Sequence, residues 1–149
     1  MFLLHYPSVA SARDNIKLIL DAAERGQAVT IERSARRSAV VDAERLRAFL
    51  LASVPSMAEV VREQGAWVIA MPGRPIAAEA ASYEEALDEL VDALREYAAD
   101  WNERLHTAPN HRANWGLVQL IALSTDDQLR DWLVRAPAEG ASAAKASAE

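Results

Sequence analysis

The sequence predicts an α+β protein, and three observations predict it. Short apolar runs with strand character alternate with amphipathic helical patterns. Gly- and Pro-containing turn signals separate them. Residues 1–54 alone run β-α-β-β-α, a compact unit by themselves. A second unit, residues 55–135, reads as a β-hairpin, a further strand, a long helix and a C-terminal helical segment. Residues 136–149 have the composition of a disordered tail.

The elements follow in order. Residues 2–6, FLLHY, form a short apolar strand ended by Pro7-Ser8. From about Ala10 to Arg25, Ala12, Ile16, Ile19, Leu20 and Ala23 recur at spacings of three and four, which predicts one helix. Gly26 stands where a C′ glycine would stop it. Strands are expected at 27–32 and 38–42, with Arg33, Arg36 and Arg37 at the tip between them. Ala43 to Ser53 is helical through Leu46, Phe49 and Leu50, and Pro55 ends it. In the second unit, Val60-Val61, the turn at Gln64-Gly65 and residues 66–71 predict a hairpin, with a third strand over Ile76 to Ala80 after Pro72-Gly73-Arg74-Pro75. Ser82-Tyr83-Glu84-Glu85 has the form of a capping box. It opens a long helix to about Leu105, with one apolar face from Tyr83 through Leu90 and Tyr97 to Trp101. Trp115 to Leu123 is apolar almost throughout, so its period does not separate helix from strand; the expectation leans to helix. Thr125 caps a last short helix through Leu129, Trp132 and Leu133.

With 51% hydrophobic and 26% charged residues, the composition is that of an ordinary globular chain. The absence of cysteine removes disulfides and thiolate metal sites. No apolar run reaches the ~18–20 residues of a membrane span, and the start lacks the basic flank of a signal peptide, so a cytoplasmic protein is expected. Charge is unevenly divided. Residues 1–53 carry eight basic and six acidic side chains, and residues 54–149 carry eight basic and sixteen acidic. The first half therefore suits a polyanion and the second a basic partner.

Catalytic signatures are lacking: there is no Gly-rich phosphate loop, nucleophile elbow or His-Glu-x-x-His pair. His106 and His111 share a polar loop with no carboxylate or cysteine between them, and read as loop residues rather than metal ligands. No enzyme activity, metal or cofactor is expected. The cationic candidates are Arg13 in the first turn of the first helix and Arg33, Arg36 and Arg37 at the hairpin. Rigid elements presenting guanidinium groups suit phosphate and base contacts. By charge alone, a solvated turn is the better reading, since a charge run is usually a solvated face.

These residues carry a family resemblance. Ala12-Arg13-Asp14-Asn15-Ile16, Glu24-Arg25-Gly26, Val29-Thr30-Ile31-Glu32-Arg33, Ser38-Ala39-Val40-Val41 and Ala43-Glu44-Arg45-Leu46, in that order, resemble the Phd/YefM ("prevent-host-death") family of bacterial antitoxins over about a third of the chain. The resemblance implies an N-terminal unit that forms a homodimer and binds operator double-stranded DNA, with Arg13 and Arg33 at the family's contact positions and Arg36 and Arg37 as extra basic residues. The family's helix-cap position falls on Ala10, and its hairpin glycine is replaced in Ser34-Ala35-Arg36. Further on, residues 65–73 followed by Ser82-Tyr83-Glu84-Glu85-Ala86-Leu87 resemble, more distantly, the HicB-type antitoxin pattern, which implies a folded β-β-β-α unit.

Together these imply an antitoxin of a type II toxin–antitoxin module that neutralises a toxin by direct binding and represses its own operon. The toxin would be a basic protein such as a ribonuclease. Candidate toxin-binding residues are Asp88, Glu89, Asp92 and Glu96 on the long helix, with Trp115 and Trp132. The alternative is a stand-alone DNA-binding regulator whose second unit oligomerises or binds a small ligand.

Overall fold

The structure is a computed structural model and describes residues 4–135; the expected tail at 136–149 lies outside them. The chain divides into two units, Met1–Phe49 and Leu50–Glu149. The division falls a few residues before the expected boundary, inside the helix that carries Phe49 and Leu50.

In the first unit, β1 (Leu4–Tyr6) pairs parallel with β2 (Val29–Arg33), and β2 pairs antiparallel with β3 (Arg36–Val40). A parallel pair needs a crossover, and α1 (Val9–Asp14) and α2 (Ile16–Glu24) supply it. Ala12, Ile19, Ala22 and Val29 form the core, flanked by the half-buried Leu4, Tyr6, Ile31 and Val40. The single helix expected over 10–25 is two. Asn15 leaves helical geometry at φ −122°, and its side-chain amide donates to the Ser11 carbonyl at 2.9 Å. Nor is the cap lost with Ala10: Ser8 takes that role, its hydroxyl accepting from the Ser11 amide at 3.1 Å. At the other end Gly26 adopts φ +86°, its amide reaching the Ala23 carbonyl and that of Gln27 the Ala22 carbonyl, the paired bonds of a Schellman stop.

The hairpin also differs from expectation. The strands run closer to the tip on each side, so only Ser34 and Ala35 form the turn and Arg33 and Arg36 belong to the ladder. Ser34 and Ala35 take φ +48° and +64°, the two successive left-handed residues of a type I′ turn. The turn is thus made here without a glycine, at a steric cost.

α3 (Ala43–Ser53) spans the division between the units. In the second unit, β4 (Glu59–Glu63), β5 (Ala66–Met71) and β6 (Ile76–Ala80) form an antiparallel sheet in the order β4-β5-β6. α4 (Tyr83–Glu103) packs on β6 and β5; Leu87, Leu90 and Leu94 are buried on it, as are Ile69, Met71 and Ile76 on the strands. Only the forward half of its expected capping box is made: the Ser82 hydroxyl accepts from the Glu85 amide at 3.2 Å. Residues 115–123 are helical, as α5 (Trp115–Leu123), and α6 (Asp126–Val134) opens with a complete capping box between Thr125 and Gln128. Gly116 lets α5 approach the end of α3: a β-carbon there would lie 3.3 Å from Val54 Cγ2. Buried Trp132 donates its indole N–H to the Val54 carbonyl at 2.8 Å.

Candidate functional site

The basic candidates sort by the two faces of the first sheet. Cross-strand partners share a face. Ile31 pairs with Ser38 and Arg33 with Arg36, on the face that α1 and α2 cover with Val29 and Val40. Beyond the end of that cover lies a groove of about 800 Å³, walled by Val9, Ile16 and Ile31 and edged by Arg13, Arg33 and Arg36. Three of the four basic candidates therefore meet at one site, contributed by the helix start and by both strands of the hairpin.

Arg37 does not join them. It pairs with Glu32 across the ladder, on the opposite face. There His5 lies 3.3 Å from the Glu32 carboxylate through Nε2 and 2.8 Å from the Thr30 hydroxyl through Nδ1. This His5-Thr30-Glu32 group was not anticipated from the sequence, because its members meet only through the parallel pairing of β1 with β2.

The guanidinium groups of the groove are little neutralised. Arg13 has a loose, exposed contact with Asp14 at 3.9 Å, of a kind that contributes almost nothing in water. Arg33 and Arg36 have no ion pair among the described residues. Their positive field is directed outward, as an anion site requires.

The acidic candidates divide as well. Asp88 and Glu84 both hold Arg130 of α6, so Asp88 is engaged within its own unit. Glu89, Asp92 and Glu96 are exposed on α4 and make no ion pair among the described residues. Trp115 is 51% exposed at the start of α5, whereas Trp132 is 2% exposed and belongs to the core. His111 contacts the buried Tyr97 hydroxyl through Nδ1 at 3.0 Å, and Asn114 donates to that hydroxyl at 2.7 Å, so the loop after α4 is fastened by polar contacts. Among the described residues no cluster of three or more metal-ligating side chains occurs, and no helix is long and apolar enough to cross a membrane.

Neither a family model nor a curated protein sequence matches the chain. Its fold is shared with a solved structure. A crystal structure from Syntrophomonas wolfei subsp. wolfei, described as an antitoxin part of a proposed toxin/antitoxin system, superposes with a TM-score of 0.74 at 19% identity, covering 89% of this chain and 96% of that one. The architecture of both units is therefore that of this solved protein.

Proposed function

We propose that the chain is the antitoxin of a toxin–antitoxin module. Its first unit would bind operator DNA as a homodimer and its second would bind the toxin. The observation that carries the DNA half is the convergence of Arg13, Arg33 and Arg36 on one groove of the basic unit, with no ion pair to Arg33 or Arg36 among the described residues. Ile16 and Leu20, one turn apart on α2, are both about half exposed, and a second copy of the unit would cover them. A two-fold axis through such a dimer presents two arginine clusters, matching a palindromic pair of half-sites. The shared fold with a protein described as an antitoxin supports the same reading.

The toxin half rests on the net acidity of residues 54–149 and on the exposed carboxylates of Glu89, Asp92 and Glu96. A basic toxin would be steered to them and its nucleic-acid substrate displaced.

Two measurements test the reading. Binding to a duplex of the upstream promoter region should weaken steeply with salt, because phosphate contacts release counterions. Co-expression with the product of the adjacent gene should relieve that product's toxicity and give a complex that co-elutes on a sizing column. DNA binding without any such complex would favour the stand-alone regulator.

A further inference from the structure

The second sheet ends in an open strand. Every residue of β4 is exposed, and among the described residues it pairs with a neighbour on one side only. Val60 and Val61, on opposite faces of the strand, are 45% and 49% exposed. β4 thus offers a free hydrogen-bonding edge with apolar surface on both faces, the form that an added strand completes.

Its charges state what kind of strand fits. The outer face carries Glu59, Val61 and Glu63 at alternate positions, opposite Ala70, Val68 and Ala66 of β5. Glu79, opposite Val68 on β6, extends the acidic rim. None of the three glutamates has an ion pair among the described residues. The strand's one cation, Arg62, is on the other face, with its guanidinium 4.8 Å from the centroid of the Trp67 ring.

A second copy is a poor occupant. A two-fold axis between antiparallel strands keeps each side chain on its face, so the register must centre on a residue. Centred on Val61, the pairing sets Glu59 against Glu63 at both ends. Centred on Arg62, it sets arginine against arginine. Centred on Val60, it sets Glu63 against Met57, whose φ of +53° is outside extended geometry. Like charges directly opposite one another destabilise a ladder. DNA is repelled by the same carboxylates.

We propose that the β4 edge is completed by a strand of a protein partner with basic side chains opposite Glu59 and Glu63 and an apolar one opposite Val61. This rests on the antitoxin reading for the identity of that partner, the toxin, and it moves the main interface from the α4 face to the sheet edge.

The test uses the full chain and two capped peptides, Thr-Lys-Thr-Val-Thr-Lys-Thr and the same sequence with glutamate for lysine. The lysine peptide should bind roughly tenfold tighter, since the cross-strand charge pairs change sign between the two. It should also slow amide hydrogen exchange at Glu59–Glu63. The double variant Glu59→Lys/Glu63→Lys should reverse the preference, and a thermal melt matching the parent would show its fold intact. No preference, or protection confined to residues outside β4, overturns the proposal. The adjacent gene product separates the two readings. If it is neutralised while β4 amides stay unprotected in the complex, the edge proposal fails and the antitoxin reading stands. If the lysine peptide binds at β4 but no toxin is neutralised, the edge stands and the antitoxin reading fails.

Discussion

Arg33 and Arg36 are direct cross-strand partners beside the hairpin turn, on the same face of the first sheet. Two guanidinium groups so placed repel each other and destabilise the hairpin by a few tenths to ~1 kcal/mol. A sequence selected for stability alone would set an opposite charge or an apolar pair there. The repulsion is relieved when an anion lies between the two groups, which gives the pair a reason to exist.

Arg36→Thr should therefore act in opposite directions on fold and binding. Urea unfolding should show the variant more stable than the parent by up to ~1 kcal/mol, while promoter DNA binds more weakly and with a shallower salt dependence. Arg13→Ala and Arg33→Ala should also reduce the slope of log affinity against log salt, by roughly one for each phosphate left without its arginine. Arg37→Ala, on the opposite face, should leave the slope near that of the parent. Equal effects at Arg36 and Arg37 would show that the groove is not the DNA surface.

The turn makes a separate prediction. Ser34 and Ala35 hold left-handed conformations with a β-carbon in place, at ~1–2 kcal/mol per residue. Ala35→Gly should raise stability by about 1 kcal/mol, partly offset by the greater freedom of the unfolded chain. Because neither side chain at positions 33 and 36 moves, DNA affinity should change little. Chemical denaturation and fluorescence anisotropy on the same preparation check both halves.

Arg130 bridges α6 to Glu84 and Asp88 on α4. Asp88→Ala should lower stability by up to ~1 kcal/mol, the range of partly exposed ion pairs. Glu89→Ala, Asp92→Ala and Glu96→Ala, which break no such bridge, should stay within ~0.5 kcal/mol of the parent. A toxin-affinity loss at Asp88 must then be corrected for folding, whereas a loss at the other three is a binding effect.

Local chemistry was largely legible in the sequence. The Gly26 stop, the hairpin turn at Gln64-Gly65 and the apolar face of α4 each rest on neighbouring residues. Long-range placement was less so. Whether Arg37 shares a face with Arg33 depends on the turn length, and a shift of one residue reverses it. Lacking a glycine, Ser34-Ala35-Arg36 gave no sign of a two-residue turn, and the wider tip expected instead placed all the hairpin arginines together. The fate of Asp88 depended on Arg130, 42 positions away, which no local pattern announces. The openness of β4 depended on where α4 packs.

The two tryptophans proposed for toxin contact make the sharpest contrast. Trp132 is buried, and its indole N–H has a partner at the Val54 carbonyl. Trp132→Ala should cost ~3–5 kcal/mol through the cavity it leaves, and Trp132→Phe should cost ~1 kcal/mol by removing the donor to the part-buried Val54 carbonyl. Trp115, half exposed at the start of α5, has little packing to lose. Trp115→Ala should leave the thermal midpoint within a few degrees of the parent. Any fall in toxin affinity at Trp115 therefore measures contact directly, because exposed tryptophans are frequent anchors of protein interfaces. The chain has four tryptophans, and Trp67 is also part-exposed; the emission lost in Trp115→Phe therefore isolates Trp115, and that component should be reduced by a neutral quencher and protected by toxin seated on Trp115. Unchanged quenching of that component in the complex would show that the toxin does not seat on Trp115, and would leave the β4 edge as its interface on the second unit.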